Sequence, residues 1–339
     1  MRNILLGAAI LAASGAYALT GEGADKQQSS AGPIPWPKSL PVYDHIVIVM
    51  EENKDYDQII GNGDAPYINS LAKAGANFTK MYAEEHNSEG NYFWFFSGSN
   101  QTVGFMDAMP SRPITAPNLG QALIARGLSF KGYSEDLPAI GSTTERTRQG
   151  KVSIYGRKHV PWISFTNVPN GETLDTSSNL RFLDWPTDFS KLPTIAFVIP
   201  NMENDMHNGD PKDSVPAGDR WLKANIDSYY QWAKTHNSLL IITFDESDDK
   251  THYLGLTNPL VEPTDQFRKD LENRISTIFA GAHVKPGDYV ETPGINHINI
   301  LRTLEAMYGL PKAGAQQPNA AGAGFSDDYI ITDVFGSGD

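Results

Sequence analysis

Carboxylates occur in two tight groups, Glu51-Glu52-Asn53 and Asp245-Glu246, about 190 residues apart. Each follows directly on an apolar run, His45–Met50 in one case and Leu239–Phe244 in the other. Such runs read as central strands of a parallel sheet covered on both faces. Ligands of these sheets bind in the crevice beyond the carboxyl ends of the strands. Carboxylates delivered to one crevice repel unless a cation joins them, so a divalent metal site is expected. Either group alone could instead cap a helix N-terminus. The repetition at two strand ends favours the metal. Glu52 and Asn53 offer a carboxylate and a neutral amide oxygen, and Asp245 and Glu246 add two more carboxylates. Adjacent residues near a strand end point to opposite sides, so one of Glu51 and Glu52 coordinates, and Glu52 is the choice. These donors suit Ca²⁺, Mg²⁺ or Mn²⁺, and a histidine beside them would draw in Zn²⁺.

Ser88 stands in His86-Asn-Ser-Glu-Gly-Asn-Tyr92, between the run Asn77–Tyr82 and an aromatic helical pattern at Tyr92–Ser97. A serine just before a helix is commonly an N-cap. The same position offers free amides and a positive dipole end to a phosphoryl oxygen. Ser88 could then attack phosphorus and also touch the metal, activated by it rather than by a histidine base. Asn91 could donate to the same phosphoryl group, and the aromatic run reads as core packing. The loop Ile199–Gly209 carries Asn201, Asp205 and His207, more polar groups than a turn requires. A lone loop histidine is more often incidental than catalytic, a discount that applies to His159, His207 and His297 alike. His297 opens a helical pattern near a strand end.

These side chains need a scaffold. Apolar runs at His45–Met50, Asn77–Tyr82, Leu128–Tyr133, Thr194–Ile199, Leu239–Phe244 and Ile275–Ala280 predict strands. Helical patterns cover Ala65–Ala74, Tyr92–Ser97, Asn118–Arg126, Asp219–His236 and Asn296–Tyr308, with Asn118 and Asp219 as N-caps and Gly127 and Gly309 as stops. The alternation argues for an α/β fold, a largely parallel central sheet flanked by helices. One domain is expected over 41–335. The polar stretch Pro138–Ser190 reads as an excursion shaping the crevice mouth, offering only Trp162, Ile163 and Phe165 as apolar surface. Lys312–Gly324 reads as a linker.

Residues 1–18 read as a secretory signal peptide, with one basic residue, a short apolar run and Ala16-Tyr17-Ala18 at the cleavage end. Residues 19–40 read as a tether, and a secreted or periplasmic location follows. No later apolar stretch is long enough to cross a membrane, so no integral membrane segment is expected in the mature chain. The absence of cysteine excludes thiol nucleophiles and thiolate zinc sites, and 339 residues can bury a core without disulfides. A net charge of −13 argues against a nucleic-acid partner.

Five segments now stand in order: Glu52-Asn-Lys-Asp-Tyr-Asp57, His86 to Tyr92, Pro200-Asn201 through Asp205-Met-His207, Thr243-Phe-Asp-Glu-Ser247, and Asn296-His297 through Thr303-Leu-Glu305. Together they resemble the secreted phosphoesterase family that contains bacterial acid phosphatases and phospholipases C, from about Pro41 to Phe335. The resemblance implies an alkaline-phosphatase-like three-layer sandwich. It implies a metal on Glu52, Asn53, Asp245 and Glu246, a nucleophile at Ser88, and His159, His207 and His297 as phosphate ligands or leaving-group acids. The chain departs from the family pattern at Asn87 and Gly90, where many members carry prolines, which bears on the rigidity of the nucleophile loop. The expected function is a metal-dependent acid phosphatase acting on small phosphate monoesters, with His207 or His297 as acid and Asn91, Asn201, Asp205 and His159 holding substrate. A phospholipase C on the same scaffold is the rival, separable by comparing p-nitrophenyl phosphate with p-nitrophenyl phosphorylcholine. A non-catalytic phosphate-binding protein is a third reading, marked by binding without turnover.

Overall fold

A computed structural model of the chain describes residues 40–103, 107, 109–110, 113–248, 273–291, 293–315 and 325–336. The expected signal peptide, all but the last residue of the expected tether and much of the expected linker lie outside them. In chain order the elements are β1 His45–Glu51, α1 Tyr56–Ile59, α2 Pro66–Ala74, β2 Ala76–Tyr82, α3 Ser88–Ser97, α4 Leu119–Ala125, β3 Phe130–Ser134, β4 Arg146–Gln149, β5 Val152–Gly156, β6 Asn179–Arg181, β7 Ile195–Ile199, α5 Pro211–Asn225, α6 Asp227–Ala233, β8 Ser238–Phe244, β9 Arg274–Gly281, β10 Gly287–Tyr289, β11 Ile295–Asn296 and α7 His297–Tyr308.

Nine strands form one sheet in the order β10-β2-β9-β8-β1-β7-β3-β6, with β11 beside β2. β1 lies parallel to β7 and β8, while β9 runs antiparallel to both of its neighbours, β2 and β8. A single reversed strand is invisible to periodicity, because a buried run reads alike in either direction. All of β8 and all but the first residue of β1 are buried, which requires cover on both faces. That cover comes from two helix groups, α3 with α4 and α7, and α2 with α1 and α5, the last also touching α6.

The register sets the site. Glu51 pairs with Phe244 across β1 and β8, so Glu52 and Asp245 leave adjacent strands at the same height. The loops after β2, β7 and β8 open on this same edge. Asn273, just before the reversed strand β9, ties two of them together: its amide donates to Glu85 O at 2.9 Å and accepts from Ser247 N at 2.9 Å.

Three expectations change. The helix expected over Asp219–His236 is two helices, and α5 begins at Pro211, a position that tolerates proline. Asp219 does not cap its own helix; it accepts from Tyr67 N and Ile68 N at 3.1 and 2.8 Å, capping α2 across space. Trp162 and Phe165 are buried rather than presented at the mouth. Gly132 in β3 is what admits the indole, since a Cβ there would lie 2.0 Å from Trp162. The Pro138–Ser190 excursion is thereby pinned to the sheet, and its hairpin β4–β5 leads into a 3-10 turn, Arg157–His159, that faces the crevice.

Candidate active site

The chain turns sharply after β1, where Asn53 takes a positive φ of 50° and its N–H donates to Asp245 Oδ1 at 3.1 Å. Asp245 Oδ1 also accepts from Glu246 N at 2.7 Å. Glu52 is fully buried; its Oε1 accepts from Tyr92 OH and lies 3.2 Å from His159 Nε2, near enough for an ion pair but not aligned as a hydrogen bond. Asp205 Oδ1 accepts from His207 N at 2.8 Å, while its Oδ2 stands 4.0 Å from His159 Nδ1. Ligand atoms of Glu52, His159 and Asp205 all lie within 4.8 Å of one another. Glu51 is not among these three, and neither of its buried oxygens has a hydrogen bond among the described residues.

The Ser88 hydroxyl faces Glu52 Oε2 at 3.1 Å and Glu246 Oε1 at 3.2 Å. Here the local reading changes. Asn87, not Ser88, occupies the N-cap position, and α3 begins four residues before the aromatic pattern suggested. Ser88 is the first helical residue and spends its side chain on the carboxylates. Glu246 Oε2 fixes the loop by accepting from His86 Nδ1 at 2.8 Å and Asn87 N at 2.9 Å. The departures at Asn87 and Gly90 now have physical reasons. Asn87 has φ 75° and a bonded N–H, neither available to proline. At Gly90 the Glu85 carboxylate fills the space of a side chain, 1.3 Å from where a Cβ would sit. Burial pushes that Glu85 carboxyl up to about 9.

The residues fit a cation. Asp205 Oδ2 and Asp245 Oδ2 are buried without a hydrogen bond among the described residues, an arrangement costly unless a ligand satisfies them. Atoms of the Asn53 carboxamide lie 3.2–3.3 Å from oxygens of Glu52, Asp245 and Glu246. Its nitrogen, turned to them, donates to all three carboxylates, and the same amide turned about would offer its oxygen beside theirs to a cation. Burial, then mutual repulsion, drives Glu52 and Asp245 well above the usual carboxylate range; burial does the same for Asp205 against its hydrogen bond from His207. A bound cation reverses both effects, since it favours the ionised form. Lys54 braces two loops by donating to Asn53 O at 3.0 Å and Met206 O at 2.7 Å.

The expected site residues are not all brought together. Glu52, Asn53, Ser88, Asp245 and Glu246 converge, and Asp205 and His159, expected to hold substrate, stand with Glu52 as possible ligands. The His207 ring centre lies 6.0 Å from that of His159. Asn91 stays out, because its amide accepts from Glu84 N and Glu85 N and donates to Glu85 O. Asn201 is likewise spent, donating to Asp136 and accepting from Glu203 N and Asn204 N. His297 has Nδ1 2.6 Å from Glu84 Oε2 and Nε2 2.8 Å from Phe244 O, so neither nitrogen reaches the crevice. Sequence reasoning passed over Tyr92, His86 and Lys158. The first two lay inside the quoted Ser88 motif, but Tyr92 was read there as packing. Only the fold brings up Lys158, whose Nζ lies 2.8 Å from Asp107 Oδ2.

The sequence pattern of the Phosphoesterase family matches residues 62–311. A phosphatidylinositol-3-phosphatase of Mycobacterium tuberculosis is 44% identical over 277 residues, covering 81% of this chain and 80% of that one. A "Probable acid phosphatase" of Kluyveromyces lactis is 27% identical over 284 residues, covering 80% of this chain and 60% of the fungal one, so the chain spans about three-fifths of that relative. A crystal structure of an alkaline phosphatase superfamily protein from Vibrio parahaemolyticus, 11% identical, superposes with a TM-score of 0.53 over 82% of this chain and 69% of the other, which shows the shared fold.

Proposed function

The chain belongs to the Phosphoesterase family and is a hydrolase of phosphoric esters; from that premise we propose a secreted, metal-dependent acid phosphatase that cleaves monoesters through a phosphoserine on Ser88. The observation that carries this reading is the Ser88 hydroxyl, held between Glu52 and Glu246 with no histidine nitrogen bonded to it among the described residues. When bound, a divalent cation held by Glu52, Asn53, Asp245, Glu246, Asp205 and His159 would supply the Lewis acidity that favours a serine alkoxide. Ser88 Oγ passes its proton to Glu52 or Glu246, the carboxylates it faces, and forms the new bond to phosphorus as the ester bond breaks. The positive dipole end of α3 favours the phosphoryl oxygen, although its Glu89 N–H is given to Asp107. His207, whose Nδ1 faces Asn208 Oδ1 at 3.1 Å, gives the leaving oxygen a proton from Nε2 when it is the imidazolium, a form that burial disfavours and acid pH restores. Water then releases phosphate and restores Ser88. His297 takes no part, because both its nitrogens are committed.

The named activity of the 44% identical relative supports a phosphorylated inositol lipid as one substrate. The signal-like residues 1–18 support export. Among the described residues no helix is long and apolar enough to cross a membrane. Acid-quenching the enzyme with radiolabelled substrate should trap phosphate on the peptide containing Ser88. Ser88→Ala should keep fold and metal and lose turnover by several orders of magnitude. Near-normal turnover in that variant would overturn the covalent mechanism.

A further inference from the structure

We propose that the cleft beside the turn Arg157–His159 is a leaving-group subsite, in which Arg157 binds a second phosphate carried by the substrate. The inference rests on the monoesterase reading above and adds to it the class of leaving group. Three consecutive residues of the turn face three surroundings. His159 reaches Glu52; Lys158 reaches Asp107 at 2.8 Å; Arg157 lines a cleft of about 500 Å³. That volume is within the range of small-molecule sites. The cleft is walled by Pro110, Pro113, Ile163 and Phe165, with Ser164 and Thr166 adding hydroxyls.

Arg157 stands apart from the other partly or fully buried arginines among the described residues. Among the described residues, the other arginines that are not fully exposed all reach a carboxylate: Arg181 to Asp184 at 2.6 Å, Arg274 to Asp57 at 3.9 Å, and Arg302 to Glu305 and Asp327 at 2.8 and 3.0 Å. Among the described residues the Arg157 side chain reaches only the Ser164 hydroxyl, at 3.4 Å, and its buried Nε has no hydrogen bond. Among the described residues no carboxylate stands within ion-pair reach of this half-buried guanidinium, Glu89 acting on it only as a more distant charge; it is therefore ready to bind an anion, and its planar fork matches the oxygens of a phosphate. Ser164, accepting from Arg157, keeps its own proton for another oxygen of the same group. A chain of contacts connects the turn that carries Arg157 to the reacting centre. Asp107, held by Lys158, accepts from the N–H of Glu89 at 3.1 Å, and Glu89 follows Ser88 in the chain. In a protein of net charge −13, Arg157 gives an anionic leaving group a local positive charge, since the charge of Lys158 is already matched by Asp107.

The test compares kcat/KM for myo-inositol 3-phosphate, myo-inositol 1,3-bisphosphate and dioctanoyl phosphatidylinositol 3-phosphate in wild type, Arg157→Gln and Arg157→Lys, with p-nitrophenyl phosphate as reference. The wild type should prefer the substrates with a second phosphate over the monophosphate by roughly ten- to a hundredfold, through KM. Arg157→Gln should erase that preference and Arg157→Lys should keep part of it. An Arg157-dependent preference for the lipid without one for the soluble bisphosphate supports the subsite and identifies the lipid's phosphodiester as its occupant. Equal kcat/KM for all substrates in wild type would overturn the proposal. So would an Arg157→Gln variant that lowers every substrate, p-nitrophenyl phosphate included, by one common factor. If no monoester is turned over, the monoesterase reading fails, and calorimetry with the bisphosphate decides separately. Binding lost in Arg157→Gln keeps the subsite, and no binding by wild type removes it.

Discussion

Two flanks of the same sheet edge hold a buried histidine against a buried glutamate, and they are built on opposite terms. On one flank Glu84 accepts from Ile298 N at 3.1 Å and pairs with His297 Nδ1, while Phe244 O takes the remaining nitrogen. Burial alone would lower the His297 pKa, but the Glu84 charge and these hydrogen bonds raise it. On the other flank His159 stacks on Tyr92 with ring centres 5.0 Å apart, and its nitrogens approach Glu52 and Asp205 without a well-aligned hydrogen bond. Burial, with Lys158 and His207 nearby, lowers its pKa. A polar network whose bonds are complete holds the fold together, whereas one with open valences is arranged for a ligand. Burial is the same on both flanks; completeness of bonding separates scaffold from site.

The largest break is Asp245→Asn on the open flank. Metal content and kcat/KM should fall together, the latter by roughly two orders of magnitude or more, because one charged ligand is lost. The fold should survive, since the amide oxygen can still accept from Asn53 N and Glu246 N. Elemental analysis beside kinetics checks this, and a metal-free variant of full activity would remove Asp245 from the site.

A paired substitution sharpens the contrast. His297→Gln should cost about 3–5 kcal/mol in urea unfolding, since it strands the buried Glu84. His159→Gln should cost far less stability and instead lower metal content. The pH dependences should also differ in sign. The raised His297 pKa contributes stability in full below about pH 6.5 and loses it as pH rises through the folded-state value. The lowered His159 pKa does the opposite, with stability kept above about pH 6.5 and lost as pH falls. Equal unfolding costs for the two variants would erase the distinction.

The smallest expected effect is at the loop joining the flanks. Gly90→Ala should cost about 1–3 kcal/mol by driving a methyl group into the Glu85 carboxylate, and a Glu85→Ala background should relieve most of it. Additive costs in that double-mutant comparison would show that the two positions do not share the space.

Much of the fold was legible because its strands are buried on both faces and so appear as unbroken apolar runs. The six expected strands are found within a residue or two of their predicted ends. The short strands β4, β5, β6, β10 and β11 carry no such run and were not legible. The direction of β9 was hidden for a related reason, since pairing sense is a property of the partner strands. Asp219 shows the limit for local signals: its capping role is real, but the helix it caps lies about 150 residues earlier.

The sequence by itself determined the donor chemistry: hard oxygens after two strands, a serine at a helix start, no thiols, and five motifs in a definite order. Those follow from residue type and local pattern, which need no third dimension. Only the tertiary structure decided which donors meet. Asn91 and His297 have the same functional groups as any ligand or acid, yet backbone groups and Glu84 consume them. Asp205 and His159 are brought to Glu52 from 153 and 107 positions away along the chain. Whether a buried polar atom is spent or open depends on neighbours distant in sequence, so the distinction between scaffold and site is written in packing and not in composition.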